Sequence, residues 1–242
     1  MLRYLLNFFY PPQCFACSRR LPVDASRCVC GECAAMVEPL PEPFCDICGI
    51  PTAAEASEGG GWCPECMVSP PHFSRARAIT SYRSLDDEIK PIPSMIRRHK
   101  YGPNQSLSRA LAEYLDGRIP FAPDDYDLVI PVPLHSGRLR WRGFNQAGLL
   151  AVAVARRLDK RVDFATLTRV VGTAPQTFQD RRQRRQNMRA AFAVKRPQAV
   201  ANRRVLLVDD VMTTGATADE CSRTLLRAGA RCVDVFTLAR AV

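Results

Sequence analysis

At 242 residues and 47% hydrophobic, the chain has room for one large domain or an ordinary domain with a small one beside it, and it is too apolar for a disordered protein. Lys and Arg total 34 against 24 Asp and Glu, a formal charge of +10, which admits an acidic partner such as nucleic acid or a phosphorylated small molecule, and equally a generally basic soluble protein. Eleven cysteines would suggest disulfides in a secreted chain, but eight fall into C-x-x-C pairs, the spacing of metal ligands in a reducing compartment.

The chain opens MLRYLLNFFYPPQC, apolar for about ten residues and broken by Asn7. A bilayer span takes roughly 20 residues, and the segment has no small-residue cleavage site, so neither membrane insertion nor secretion is expected. A short amphipathic helix packed on the protein and a cytoplasmic location are the expectations.

Residues 1–70 hold nine of the eleven cysteines and show no periodic run. Cys14 with Cys17, Cys30 with Cys33, Cys45 with Cys48, and Cys63 with Cys66 each place two thiolates within reach of one tetrahedral ion. Two structural Zn2+ ions are expected, most simply paired in sequence order, although spacing also allows an interleaved pairing and Cys28 could compete in the first site. A four-thiolate site has no open coordination position, which favours a structural clip over a catalytic or redox centre. Eight thiolates and two Zn2+ contribute −8 and +4, bringing the formal charge from +10 to +6. Cys221 and Cys232 read as core residues.

From about Phe73 the pattern becomes alternating strands and helices. ARAITSY (76–82) reads as a strand; residues 85–98 as helical turns broken by Pro91 and Pro93; SLSRALAEYL (106–115) as a helix. DLVIPVPL is a buried strand running into a loop, FNQAGLLAVAVARRL an amphipathic helix, and RVDFATLTRV a second strand. The polar, basic stretch VGTAPQTFQDRRQRRQNMRA reads as a loop. RVLLVDD is a third strand, ATADECSRTLLRAG a helix stopped at Gly229, and RCVDVFTLAR a last strand. Apolar strands alternating with helices imply an α/β fold, a parallel sheet flanked by helices.

The stretch RVLLVDDVMTTGATADE (204–220) concentrates the chemistry. Its strand delivers Asp209 and Asp210 at the carboxyl end, where open α/β sheets place ligands. Thr213, Thr214, Gly215, Ala216 and Thr217 then lead into a helix, so that consecutive backbone N–H groups and the helix start suit a phosphate. The carboxylates suit sugar hydroxyls or a Mg2+ ion bridging ligand oxygens. A 5-phosphorylated ribose matches both halves. The plainer alternative has Thr213 capping the helix and the aspartates paired with arginines. A signalling receiver domain is excluded, because only 32 residues follow Asp210.

VLLVDDVMTTGAT resembles the phosphoribosyl-pyrophosphate motif of type I phosphoribosyltransferases. With PVPLHSGRLRWRGFNQA (131–147), PQTFQDRRQRRQNMRAAF (175–192) and the doubled cysteine module, the whole chain resembles the ComF family, the competence protein F/ComFC-like phosphoribosyltransferases. The resemblance implies a double zinc ribbon over 1–70 and a type I phosphoribosyltransferase domain over 71–242. It implies that Asp209 and Asp210 contact the ribose hydroxyls, that residues 213–217 hold the 5-phosphate, and that the loop 133–138, with Pro133, Leu134, His135 and Arg138, holds pyrophosphate with Mg2+. Arg138, Arg142, Gly143, Phe144, Asn145 and Gln146 match the family's R-x-x-x-RGFNQ pattern. Gln176, Arg184 and Asn187 match a loop that closes over the site. Gln179 departs from a usual leucine, and Pro91 and Pro93 interrupt a helix that ordinarily leads to a lysine, here Lys100.

The chemistry implied is transfer from phosphoribosyl pyrophosphate (PRPP) to an unidentified acceptor, with Arg138, Arg142 and Arg184 stabilising the leaving pyrophosphate and His135 or Asp210 as candidate bases. His72 and His99 read as ordinary loop or surface residues. The competing reading is a binding module for PRPP or for single-stranded DNA, without turnover. The arginines of RRQRRQNMR would then grip phosphates, although only Phe178 and Phe192 are at hand for base stacking. Competence for transformation is the biology the family implies, with helicase and DNA-processing proteins as partners.

Overall fold

The computed structural model describes residues 11–22, 24, 28–52, 61–82, 92, 95, 96, 115, 117–171 and 190–242. In chain order these form α1 (Gly31–Ala35), α2 (Pro64–Val68), β1 (Ala76–Tyr82), β2 (Leu128–Pro131), α3 (Ser136–Arg142), α4 (Gln146–Leu158), β3 (Leu167–Arg169), β4 (Phe192–Val194), β5 (Arg204–Met212), α5 (Ala216–Arg227) and β6 (Cys232–Ala241). Four strands build a parallel sheet in the order β1-β6-β5-β2.

The two central strands are the most apolar, as a parallel sheet covered on both faces requires. Along β5, Leu206 and Val208 belong to the layer containing Leu150, Ala151 and Val154 of α4. Val205 and Leu207 belong to the layer containing Cys221 and Leu225 of α5. The period of two in the strand thus feeds both cores. Helix α4 meets the sheet with Ala147, Leu150, Ala151, Val154 and Leu158, all buried, at the spacing of one helical face. Helix α5 ends at Gly229, where Gly229 N–H donates to the Leu226 carbonyl (2.9 Å).

Three expectations need correction or fall elsewhere. Residues 161–170 do not form another strand of the main sheet. Val162 makes one parallel bridge to Val129; Asp163 then draws the N–H groups of Ala165 and Thr166 and the Thr166 hydroxyl onto its carboxylate, at 2.8, 2.9 and 2.6 Å. A carboxylate that takes these donors removes them from a ladder. The chain turns there, and β3 pairs antiparallel with β4 in a separate two-stranded sheet. Residues 133–138 are not all loop, because α3 begins at Ser136 with His135 as its N-cap. The helical readings at the N-terminus, at most of 85–98 and at 106–114 lie outside the described residues.

One polar cluster pins β1 to β6. The Asp234 carboxylate accepts from the Tyr126 hydroxyl at 2.6 Å and from Arg75 Nε at 2.7 Å, and Arg75 Nη2 reaches Asp125 at 3.1 Å. Burial first, and then the hydrogen bond to Asp234, hold the Tyr126 hydroxyl well above its ordinary pKa. It therefore stays protonated and donates. Tyr126→Phe removes that donor from a carboxylate that is 6% exposed, and is predicted to cost about 1–3 kcal/mol in a urea unfolding experiment.

Candidate functional site

The two cysteine clusters share one construction. In each, the first pair sits on a tight turn: Ser18 N–H donates to Cys14 O at 2.8 Å, and Gly49 N–H to Cys45 O at 2.9 Å. The second pair sits at the start of a short helix, with Cys30 and Cys63 as N-caps and Cys33 and Cys66 inside α1 and α2. A helix start favours the thiolate. The sulfurs of Cys14, Cys17, Cys30 and Cys33 lie within 4.8 Å of one another, as do those of Cys45, Cys48, Cys63 and Cys66. The pairing is therefore sequential. Cys28 belongs to neither group; its carbonyl accepts from Phe15 N–H at 3.1 Å.

The clusters fit Zn2+. A Zn–S bond of about 2.3 Å in a tetrahedron separates sulfurs by about 3.8 Å. Cys17 and Cys30 are 3.9 Å apart, and Cys48 and Cys63 3.7 Å. The thiols also titrate as a crowded set. Burial raises the Cys17 thiol, but hydrogen bonds from the Arg19 backbone and from Cys14 and Cys33 outweigh it and bring it down to about 6, while burial holds Cys33 up. Cys45 falls to about 7 against burial, through backbone hydrogen bonds of Cys48, Cys63 and Ile47, whereas burial pushes Cys48 up to about 11 and Cys66 higher still. Four thiols in one place cannot all ionise without a cation among them.

The second cluster is built into the sheet. Ala76 N–H donates to Ile47 O at 2.6 Å, Arg77 Nη1 to Asp46 O at 2.8 Å, and a side chain at Gly49 would come within 2.6 Å of the Ala76 carbonyl oxygen. His72, read from the sequence as an ordinary loop residue, ties the following linker to α5. Its N–H and its Nδ1 meet Asp219 Oδ1 at 2.7 and 2.8 Å.

At the carboxyl edge of the sheet, β2 stops at Pro131, paired with Val208, while β5 runs on to Met212. Asp209 and Asp210 stand just beyond that point. The N–H of Asp210 donates to Asp209 Oδ1 and that of Val211 to Asp210 Oδ1, both at 2.8 Å, so each carboxylate is held against the backbone. The turn to α5 pivots on Gly215, at φ +77° and ψ −4°, a left-handed conformation in which any side chain is strained. Gly215 caps α5, so Thr213 is not its cap; Thr214 Oγ1 accepts from Ala216 N–H at 3.4 Å. Asp209, Thr213, Thr214, Gly215, Ala216 and Thr217 line one cleft together with Thr237 of β6. The Asp209 carboxylate at its strand end and amides at its helix end give it opposite polarity across a few residues, while Asp210 is not among the residues that line it. That suits a ligand with hydroxyls at one end and an anion at the other.

Pro133, Leu134 and His135 follow β2 at the same edge, but they do not line that cleft. The His135 imidazole caps α3 by accepting from Gly137 N–H at 3.3 Å. Arg138 and Arg142 lie on α3 and Gly143 ends it. Asn145 precedes α4 and donates from Nδ2 to Val132 O at 3.1 Å, fastening α4 to the β2 loop. Gln146 is 4% exposed. Arg184, Gln176, Gln179, Asn187 and Lys100 lie outside the described residues.

Two arginines escaped sequence reading. Burial lowers the pKa of Arg169 on β3, and the Arg138 charge lowers it further while that of Asp209 opposes, which puts all three groups in one electrostatic neighbourhood. Arg240 on β6 is 6% exposed and donates from Nη1 to the Thr213 carbonyl at 2.6 Å. Its signal was present as a lone charge in the apolar run VFTLAR, but a chain with 34 basic residues dilutes it.

Comparison with known proteins agrees with both halves. A double zinc ribbon domain matches residues 5–67, and a phosphoribosyl transferase domain matches residues 145–241. The chain is 33% identical over 236 residues to DNA utilization protein YhgH of Salmonella typhimurium, covering 95% of this chain and 97% of the relative. It is 31% identical over 251 residues to competence protein F of Haemophilus influenzae, covering 98% and 100%. It is 28% identical over 217 residues to competence protein ComFC of Streptococcus pneumoniae, covering 88% of each. The molecule is thus a zinc-ribbon protein carrying a type I phosphoribosyltransferase fold. It belongs to the ComF family, alongside the competence protein F and YhgH proteins. Among the described residues no helix is long and apolar enough to cross a membrane.

Metal analysis of the purified chain is predicted to give about two zinc per chain, and about one after Cys48→Ser. A wild-type value of one or none would contradict two closed sites.

Proposed function

We propose that the chain binds 5-phosphoribosyl 1-pyrophosphate with Mg2+ in the cleft at the end of β5 and transfers the phosphoribosyl group to an acceptor, in the service of DNA utilisation. The observation that carries this reading is the polarity of the cleft, with Asp209 at one end and the glycine-capped turn into α5 at the other.

On this reading the N–H groups and hydroxyls of residues 213–217 hold the 5-phosphate, and Asp209 and Asp210 take the ribose hydroxyls. Arg138 and Arg142 face the pyrophosphate, and Arg184, outside the described residues, is the third cation assigned to it. Pro133, Leu134, His135, Asn145 and Gln146 stand at the same sheet edge outside the cleft, on the side toward which the pyrophosphate would extend. Both aspartates are hard oxygen donors of the kind Mg2+ requires, and that ion, when bound, neutralises charge on the pyrophosphate. Departure of pyrophosphate leaves positive charge at the anomeric carbon, and carboxylates held rigidly against the backbone are placed to stabilise it. Turnover, rather than binding alone, further needs an acceptor activated beside that carbon.

The DNA side of the reading draws on relatives named for DNA utilization and for competence, and on the +10 formal charge. Single-stranded DNA, a helicase and a DNA-processing protein are the partners this role would require.

Isothermal titration with PRPP and Mg2+ tests the proposal. The wild type is predicted to bind, with affinity lowered at least about 10-fold in Asp209→Asn/Asp210→Asn, since each lost charge-assisted bond is worth about 1.5–3 kcal/mol. A wild type that gives no heat of binding would contradict it. Pyrophosphate release across amine and nucleobase acceptors separates an enzyme from a binding module. For the DNA role, affinity for single strands is predicted to fall steeply with salt and to weaken when Arg181, Arg182, Arg184 and Arg185 are replaced; an affinity unchanged by that replacement would remove the loop as the contact.

A further inference from the structure

The back of the ligand turn and the second cysteine cluster share a crevice. Cys48 and Cys66 line it together with Thr214, Gly215 and Arg240. Arg240 lies beside Met212 in the β5–β6 pairing, and its Nη1 donates to the Thr213 carbonyl at 2.6 Å and to that of Met212 at 3.5 Å. A charge that is 6% exposed needs compensation. No carboxylate forms a salt bridge with Arg240 among the described residues, and its Nε has no hydrogen-bond partner there. Glu65 and Asp219 also line the crevice, but Asp219 is engaged by His72.

These contacts dictate what the front of the turn presents. A trans peptide points its C=O and the following N–H in opposite directions. Drawing the Thr213 carbonyl back onto Arg240 therefore turns the Thr214 N–H away from the crevice, toward the cleft. Weak engagement of the Met212 carbonyl acts in the same sense on the Thr213 N–H. A four-thiolate Zn2+ site carries a net charge of −2, an electrostatic partner for Arg240 within the same crevice. When such a site loses its metal, Cys48 and Cys66 are no longer held in one tetrahedron, and the crevice they share with Arg240 and the turn loses that fixed boundary.

We propose that Arg240 is a positioning residue that couples the second four-cysteine cluster to the ligand turn: metal at that cluster tightens binding of a phosphate in the cleft, and the bound phosphate retains the metal. This rests on the reading of the cleft as a phosphorylated-ribose site. The first cluster lies apart from the crevice and takes no part. Linkage makes the effect reciprocal, so it can be read from the metal.

The test uses the full chain carrying two zinc, mixed with a chromophoric chelator, with and without saturating ribose 5-phosphate, whose binding is measured separately by titration. In the wild type, the chelator concentration that removes half of one of the two zinc equivalents at equilibrium is expected to rise about 10-fold with ribose 5-phosphate, within the usual range of coupling between sites, while the other is unaffected. Arg240→Met is expected to retain both ions, bind ribose 5-phosphate about 10-fold more weakly, and lose the protection at saturating ligand; Arg240→Lys is expected to restore part of it. A wild type that binds ribose 5-phosphate but yields both ions at unchanged chelator concentrations overturns the coupling and leaves the cleft reading standing. Full protection in Arg240→Met overturns the role of Arg240. Failure of the wild type to bind removes the cleft reading and the coupling with it. The wild-type arm decides the coupling even if Arg240→Met does not fold.

Discussion

The cleft at the sheet's carboxyl edge depends on β5 outrunning β2. Because β2 ends opposite Val208, the last residues of β5 leave the parallel ladder on that side while β6 still follows them as far as Met212 beside Arg240. Freed on one flank and held on the other, this short stretch can take its backbone N–H groups onto its own carboxylates and then turn sharply at Gly215. A longer β2 would occupy the space and impose a regular strand. The buried run from Val205 to Val208 anchors the exposed chemistry that follows, since it fills both core layers and fixes the register.

The metal clusters solve a different problem. A cysteine-rich segment of this length buries too little apolar surface to hold itself together, and a closed four-thiolate site substitutes for a core. Here the second cluster does more than hold its own loop, because Cys45, Cys48, Cys63 and Cys66 pack in the same apolar layer as Leu207 and Leu225. The Ile47 carbonyl and Gly49 meet β1 directly, and His72 ties the linker to α5. The ribbon is therefore a wall of the sheet domain, adjoining the back of the ligand turn.

Much of this was legible in the sequence because it depends on local patterns. The strands at 76–82, 204–210 and 231–240, the helices at 144–158 and 216–229, and four cysteine ligand pairs follow from periodicity and from two-residue ligand spacing, within a few residues of the observed bounds, whereas the sequential pairing of the cysteines comes from the structure. The carboxylates before a Thr–Gly turn marked the cleft. Misread parts turned on competition that a linear pattern does not display. The run at 161–170 has the apolar content of a strand, but Asp163 captures the amides that a ladder would need. Residues 136–138 read as part of the loop 133–138, yet the His135 side chain caps a helix that begins at Ser136. Arg240 shows in the sequence only as a lone charge in an apolar run, and it, Arg169 and the pairing of His72 with Asp219 become meaningful only through a partner far away in the chain.

The central claim is that one cleft reads both ends of a phosphorylated ribose. A crystal structure of the chain soaked or grown with PRPP and Mg2+ tests it most directly. The account predicts the 5-phosphate against the N–H groups of residues 213–217 and the ribose hydroxyls against Asp209 and Asp210. Density for the ligand with its phosphate elsewhere, or its ribose turned away from both aspartates, would contradict it.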